Sequence, residues 1–309
     1  MNNLALSASW NAFRHENGSE IIREIAALGF KNIELSFNLT ASLVDQMYAS
    51  CQNTGMSVVS VHNYCPIPTG IERQRALPDC FSLASLDEHQ RSQAVLFAKR
   101  SVDTAERFKA RAVVLHAGRV DVEDKTRSFI ELYNKGLKET VEYQEQKEEV
   151  RRKRLLAAKP HMDQAIRSLD ELSSYADSRD VALGIETRYY LREIPSFEEL
   201  EIILSRFQNR NVYYWHDVGH AQLWDNLGFH SHESFLEKYA DRMIGIHLHD
   251  ISGSDDHRAP LQGDFDFIKI IPYLKKDTIK VIEAHAPATE EDIRKASTYL
   301  SELMKAGKL

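Results

Sequence analysis

The sequence predicts an α/β chain folded as a single (β/α)₈ barrel, with a long helical insertion after the fourth strand. Three observations carry this expectation. Short, nearly continuous apolar runs alternate with longer amphipathic stretches, as they must when helices wrap a parallel sheet. Eight such runs follow one another, and 309 residues is a length suited to one large barrel domain. Hydrophobic residues make up 43% of the chain and charged residues 28%, which allows a sizeable core and excludes a disordered or fibrous protein.

The strands are expected at Leu4 to Ser9, Asn32 to Ser36, Ser57 to His62, Ala112 to His116, Ala182 to Glu186, Val212 to Asp217, Met243 to His249 and Ile279 to Glu283. Each is short and mostly apolar, the composition of a strand covered on both faces. Ser19 to Leu28 reads as the first helix, closed by Gly29, because glycine takes the left-handed conformation that ends a helix. After the fourth strand the connection runs from Val120 to about Asp180, and its centre, Lys138 to Arg154, is dense in Glu, Lys and Arg. It is expected as two or three exposed helices forming an excursion from the barrel, with the charges facing solvent. No repeat, low-complexity tract or Pro/Gly/Ser-rich linker interrupts the chain, so residues 1–309 are expected to form one domain.

A formal net charge of −7 argues against a protein that lives on nucleic-acid phosphates. The N-terminal Met1-Asn-Asn-Leu-Ala-Leu-Ser carries no basic run before an apolar stretch, and nowhere do eighteen apolar residues follow in succession. A cytoplasmic protein without a membrane partner is expected. Cys51, Cys65 and Cys80 are an odd number without C-x-x-C spacing, which suggests neither a disulfide framework nor a cysteine zinc site.

The chemistry is expected where these apolar runs stop. Strand three ends in Val61-His62-Asn63, strand four in Leu115-His116-Ala117, and strand five in Ile185-Glu186-Thr187-Arg188. Strand six closes on His216-Asp217-Val218-Gly219-His220, strand seven on His247-Leu248-His249-Asp250, and strand eight on Ile282-Glu283-Ala284-His285. In a barrel these ends converge on one mouth. Five or more imidazoles and carboxylates aimed at one small volume need a positive partner, and a divalent cation supplies it. Nitrogen and oxygen donors without a thiolate suit Zn²⁺ or Mn²⁺ first, with Co²⁺, Fe²⁺ and Mg²⁺ also open.

Four motifs at successive strand ends, Ile185-Glu186-Thr187-Arg188, Asp217-Val218-Gly219-His220, His247-Leu248-His249-Asp250 and Val281-Ile282-Glu283, give the whole chain its resemblance. In that order they resemble the xylose-isomerase-like TIM barrel superfamily, which includes sugar isomerases and 3-epimerases, inositol-catabolism enzymes, dehydratases and metal-dependent abasic-site endonucleases. Resemblance to the epimerase-like members implies one metal held by Glu186, Asp217, His247 and Glu283, with His220 beside the substrate. Resemblance to the endonucleases implies a trinuclear zinc site that adds His62, His116, His220 and an Asp-x-His pair, here Asp255-Asp256-His257. Against that second set, the first strand ends in Ser9-Trp10-Asn11 without the endonucleases' glycine-and-histidine opening. Arg258 to Phe267 resembles the superfamily's loop into the seventh helix, expected to help cover the mouth.

The expected activity is therefore isomerisation or epimerisation of a small sugar, keto sugar or polyol derivative. A metal-stabilised enediolate would form between Glu186 and Glu283 as acid and base, with His220 steadying the oxyanion. Arg188 either pairs with an anionic substrate group or orients Glu186. Trp10, Tyr64 and Trp215 are expected to stack on the substrate. The alternative is a zinc-cluster phosphodiesterase of the abasic-site endonuclease kind, and a third is a barrel with an intact metal site and some other substrate. Barrels of this kind often pair through helices, so a homo-oligomer is open, with the charged excursion as its contact or as a lid.

Overall fold

A computed structural model of the chain describes residues 4–307. The expected domain limits at 1 and 309, and the first three residues of the N-terminal segment, lie outside the described residues. The eight apolar runs form β1 (Leu4–Ser7), β2 (Asn32–Leu35), β3 (Ser57–His62), β4 (Ala112–Leu115), β5 (Ala182–Glu186), β6 (Val212–Asp217) and β7 (Met243–Leu248), with β10 (Ile279–Ile282) completing the set. They close into a barrel in the order β1-β10-β7-β6-β5-β4-β3-β2. Neighbours pair in parallel throughout, so every carboxyl end opens on the same face.

Each strand starts where its apolar run starts, but five stop one or two residues early, at Ser7, Leu35, Leu115, Leu248 and Ile282. The expected ends at Ser9, Ser36, His116, His249 and Glu283 belong to the mouth loops. After Ser7 the backbone tightens into the 3₁₀ turn Ala8–Trp10, whose first turn the Ser7 side chain caps.

The outer layer comprises α1 (Gly18–Ala27), α2 (Ala41–Thr54), α3 (Glu88–Phe108), α4 (Thr126–Asn134), α5 (Val141–Asp177), α6 (Phe197–Arg206), α7 (Val218–Asn226) and α8 (His232–Tyr239), with α9 (Glu290–Ala306) after the last strand. Their starts follow capping chemistry: Asn17, Thr40, Asp87 and Thr140 accept from backbone N–H groups, and Ser196 and Thr289 form capping boxes with Glu199 and Asp292. Gly29 (φ 93°) turns α1 into β2, the left-handed geometry that glycine takes without strain.

Two parts of the outer layer depart from expectation. The insertion after β4 is two helices, and the second, α5, runs for 37 residues. Its C-terminal half buries Ala158, Met162, Ala165, Leu169, Leu172 and Ala176 and is the ordinary outer-ring helix, not part of an excursion. The true insertion, α4 with the start of α5, is itself anchored: Phe129 and Tyr143 pack with Leu223, Trp224 and Phe229 beside the barrel mouth. Among the described residues no α-helix lies between β7 and β10. An antiparallel hairpin, β8 (Asp250–Ser252) with β9 (Asp255–Arg258), is followed by a seven-residue 3₁₀ helix, Phe267–Tyr273, containing Pro272. A proline there lacks the N–H that a continuing helix needs.

Inside the barrel, Ala5, Ala112, Val114, Ala182 and Val281 surround Trp215. Gly184 and Gly245 on the flanking strands leave room for this indole, since a Cβ at Gly245 would overlap its ring. Among the described residues no helix is long and apolar enough to cross a membrane.

Candidate metal centre

The mouth side chains are placed by strand register. Asp217 and His247 are paired neighbours on β6 and β7, Glu186 ends β5 opposite Trp215, and Glu283 follows β10. Alternation along β6 sends Trp215 and Asp217 to the barrel interior and His216 into the helix layer. One donor atom from each of Glu186, Asp217, His247 and Glu283 falls within 4.8 Å of the other three, and all four residues are buried.

His247 Nδ1 is the centre of the group. It lies 2.7 Å from Glu186 Oε1, 2.8 Å from Glu283 Oε2 and 3.6 Å from Asp217 Oδ2. Burial alone would keep this imidazole neutral, yet the nearby Glu283 and Glu34 carboxylates outweigh burial and hold its pKa well above the ordinary value. Burial is likewise overcome at Glu186 by His116 and at Asp217 by His220 and His249, so both remain ionised. Three buried carboxylates thus converge on one ring nitrogen, a donor set in which a divalent cation could take the place of the ring proton.

Three further donor groups adjoin this one among the described residues. His62, His116 and Glu186 converge within 4.8 Å, so do His220, Asp256 and His257, and so do Asp217, His249, His257 and Glu283, which share two residues with the first group. His116 Nδ1 is held by Asp79 at 3.0 Å, which turns Nε2 to within 2.7 Å of Glu186 Oε2. Burial and the Arg188 charge oppose its protonation, but Asp79 and Glu186 prevail and raise its pKa to about 9. His220 Nδ1 donates to the Thr187 carbonyl at 2.9 Å, leaving Nε2 3.7 Å from Asp256 Oδ2. His116 Nε2 and Asp256 Oδ2 are buried beside opposite charges yet out of hydrogen-bond alignment. Donors aimed at a common point instead of at one another suit a coordination site, and the nitrogen-and-oxygen donor set fits a borderline divalent ion.

Residues 22–303 match the family described as xylose isomerase-like TIM barrel. The chain belongs to that family. An uncharacterised protein, y4fM, of Sinorhizobium fredii is 25% identical over 257 residues, 82% of this chain and 70% of that one. The fold is shared with a D-tagatose 3-epimerase-like protein, at TM-score 0.67 and 18% identity, covering 99% of this chain and 98% of the other. It is shared too with an L-ribulose 3-epimerase, at TM-score 0.70 and 13% identity over 99% and 95% of the two chains. A 3-keto-D-glucoside 4-epimerase of E. coli gives a TM-score of 0.68 at 15% identity, over 98% and 100%.

In this xylose isomerase-like barrel several expected site residues have other duties. Asp255 is exposed and pairs with Arg258, while Asp256 faces His257 at 3.0 Å. Hairpin alternation explains the exchange, because Asp255 pairs with Ser252 across the two strands and its successor turns to the opposite face. Arg188 is buried, with its terminal nitrogens 2.9 Å from Glu186 and Glu193 and 3.2 Å from Asp79, while its Nε has no hydrogen-bond partner. Its terminal nitrogens therefore orient Glu186. Trp10 donates its indole N–H to the Ala288 carbonyl and Tyr64 its hydroxyl to the Phe81 carbonyl, and both are buried in the main core. Trp215, fully buried, forms the floor under His247, with ring centroids 5.1 Å apart. These three aromatics are buried as packing residues; half-buried aromatics next to the donor groups include Tyr189, edge-on to His220 at 5.6 Å, and Phe37, edge-on to His62 at 5.7 Å.

Sequence patterning alone passes over Glu34, Asp79 and Glu193, and it puts His249 and His285 at the mouth without a role for either. His249 Nε2 lies 2.9 Å from Asp217 Oδ1, and the rings of His249, His257 and His285 stack at 4.3 and 4.0 Å. Glu34 does leave a signal, a lone carboxylate within the second apolar run. Asp79 sits in the long loop after β3, and nothing local in the sequence ties it to the mouth.

Proposed function

We propose that this chain is a divalent-metal-dependent isomerase or epimerase of a small keto sugar or polyol derivative. The observation that carries it is the convergence of two carboxylates, Glu186 and Glu283, on the same nitrogen of His247, with Asp217 completing the donor set. Shared fold with a protein described as D-tagatose 3-epimerase-like and with an L-ribulose 3-epimerase supports the substrate class. A bound divalent cation would polarise a substrate carbonyl and ease removal of the proton on the neighbouring carbon.

Glu283 is the better placed to take that proton, since its ion pairs are to His247 and, at 3.9 Å, to His257. Glu186, held by Arg188 and His116, would return the proton. His220, whose Nδ1 donates to the Thr187 carbonyl and whose ring is kept neutral by burial, would present Nε2 as an acceptor to a substrate hydroxyl. The reading takes residues 1–309 as one domain acting in the cytoplasm on a small molecule. Assay on a panel of keto sugars tests it: Glu283→Gln is expected to lower kcat by roughly 10²- to 10⁴-fold, the usual contribution of a positioned base. A fully active variant removes Glu283 from the chemistry.

A second reading, a multinuclear phosphodiesterase, is favoured by one observation, the further donor groups that adjoin the first. The net charge of −7 opposes it, because a nucleic-acid substrate needs basic contacts. Metal counting separates the two. One ion per chain supports the isomerase, whereas three zinc ions with cleavage of an abasic-site duplex would replace it.

A further inference from the structure

We infer that Glu34 is the positioning residue for His247, fixing Nε2 as a donor so that Nδ1 is presented to the cation; this rests on the metal centre proposed above. Glu34 stands in β2, paired in the ladder with Ser7 on β1 and Ser60 on β3. Both neighbours are small, and the ladder shifts register between Ile33 and Glu34. From this position the carboxylate spans the barrel interior to β7.

Both of its oxygens lie 3.2 Å from His247 Nε2, and Ser60 Oγ donates to Oε2 at 2.7 Å. Glu34 has no solvent exposure. A carboxylate in that setting is tolerated only with a donor for its charge, and an imidazole N–H plus a hydroxyl supply two. Its role comes from the difference between the two ring nitrogens. Nδ1 faces Glu186, Asp217 and Glu283, while Nε2 faces Glu34. A hydrogen bond at one nitrogen settles which tautomer is present, fixes the ring plane and makes the other nitrogen a stronger ligand. Glu34 is thus separate from the Glu186, Asp217, His247 and Glu283 donor set and acts on it through one ring.

Zn²⁺ affinity of the full chain, measured by competition with a chromophoric chelator, tests the inference, with the melting temperature of the chelator-treated protein as a second readout. Glu34→Gln keeps the shape and removes the charge, and is expected to weaken Zn²⁺ binding by about 10- to 100-fold, the range for loss of such a partner. In a His247→Ala background the same substitution is expected to change affinity no further, because the effect runs through that ring. Glu34→Asp, which withdraws the carboxylate by one methylene, is expected to weaken binding too and serves if the Gln variant does not fold. A lower melting temperature with unchanged Zn²⁺ affinity in both variants would show a merely structural role and overturn the inference. Folded wild-type protein that binds no Zn²⁺ would overturn the metal centre itself, and the inference with it.

Discussion

Four donors in the mouth are each oriented by a group outside the primary donor set. Arg188 holds Glu186, Asp79 holds His116, the Thr187 carbonyl holds His220, and Glu34 holds His247. Behind them, outside the donor cluster, runs a buried chain: Thr187 Oγ1 to the Tyr214 hydroxyl at 2.7 Å, on to His216 Nδ1 at 2.6 Å, and from His216 Nε2 to His232 Nε2 at 3.0 Å. Burial, aided by Lys269, pushes the pKa of His232 down to about 3 from an ordinary 6.5. A depressed folded pKa gives stability that is complete above the unfolded value and lost as pH falls. The unfolded chain takes a proton below about pH 6.5 that the folded chain refuses until about pH 3. Urea unfolding at pH 7, 6 and 5 is therefore expected to show falling stability, with His232 contributing up to about 1.4 kcal/mol per pH unit. His232→Gln is expected to flatten that dependence.

At the scale of elements, the mouth is shaped by the segment that each strand leads into. After β6 the chain enters α7 at once, and Asp217 both caps that helix through the His220 N–H and faces the donor centre. After β7 the β8–β9 hairpin folds back over α7, and the contact is close at Gly219, where an added Cβ would strike the His249 ring. Alanine is preferred to glycine in a helix by about 1 kcal/mol. Overpacking a filled site costs about 1–3 kcal/mol, so the steric cost prevails at this position. Gly219→Ala is expected to lower the melting temperature and, by displacing His249 from Asp217, to weaken Zn²⁺ binding. A more stable variant with unchanged metal affinity would contradict the close packing of α7 against the hairpin.

Considered whole, the molecule gathers its polar residues at one end of a barrel whose remaining interior is filled by Trp215 and small aliphatic side chains. Charges buried together in this way tie the metal site to global stability. A ligand that binds only the folded state stabilises it by RT ln(1 + [L]/Kd), about 2.7 kcal/mol when its concentration is 100 times Kd. Thermal unfolding in excess Zn²⁺ or Mn²⁺ is expected at a higher temperature than in a chelator. Equal melting temperatures in the two conditions would argue that the four carboxylate and imidazole donors are satisfied by one another.

Strand starts, the parallel barrel and the convergence of Glu186, Asp217, His247 and Glu283 at its mouth were readable because each depends on chain-local facts. Apolar runs mark strands buried on both faces, and a polar residue that ends such a run falls at the mouth. Glu34, Asp79 and Glu193 were not readable, because their partners lie far along the chain and are reached only after closure of the barrel. The choice of Asp256 over Asp255 needed the hairpin's pairing, which no run of residues announces. Trp10, Tyr64 and Trp215 were misread for a related reason: an aromatic side chain near a strand end suits a binding surface and a core equally well. Which of the two it serves depends on whether neighbouring elements close over it, and that is a matter of long-range packing.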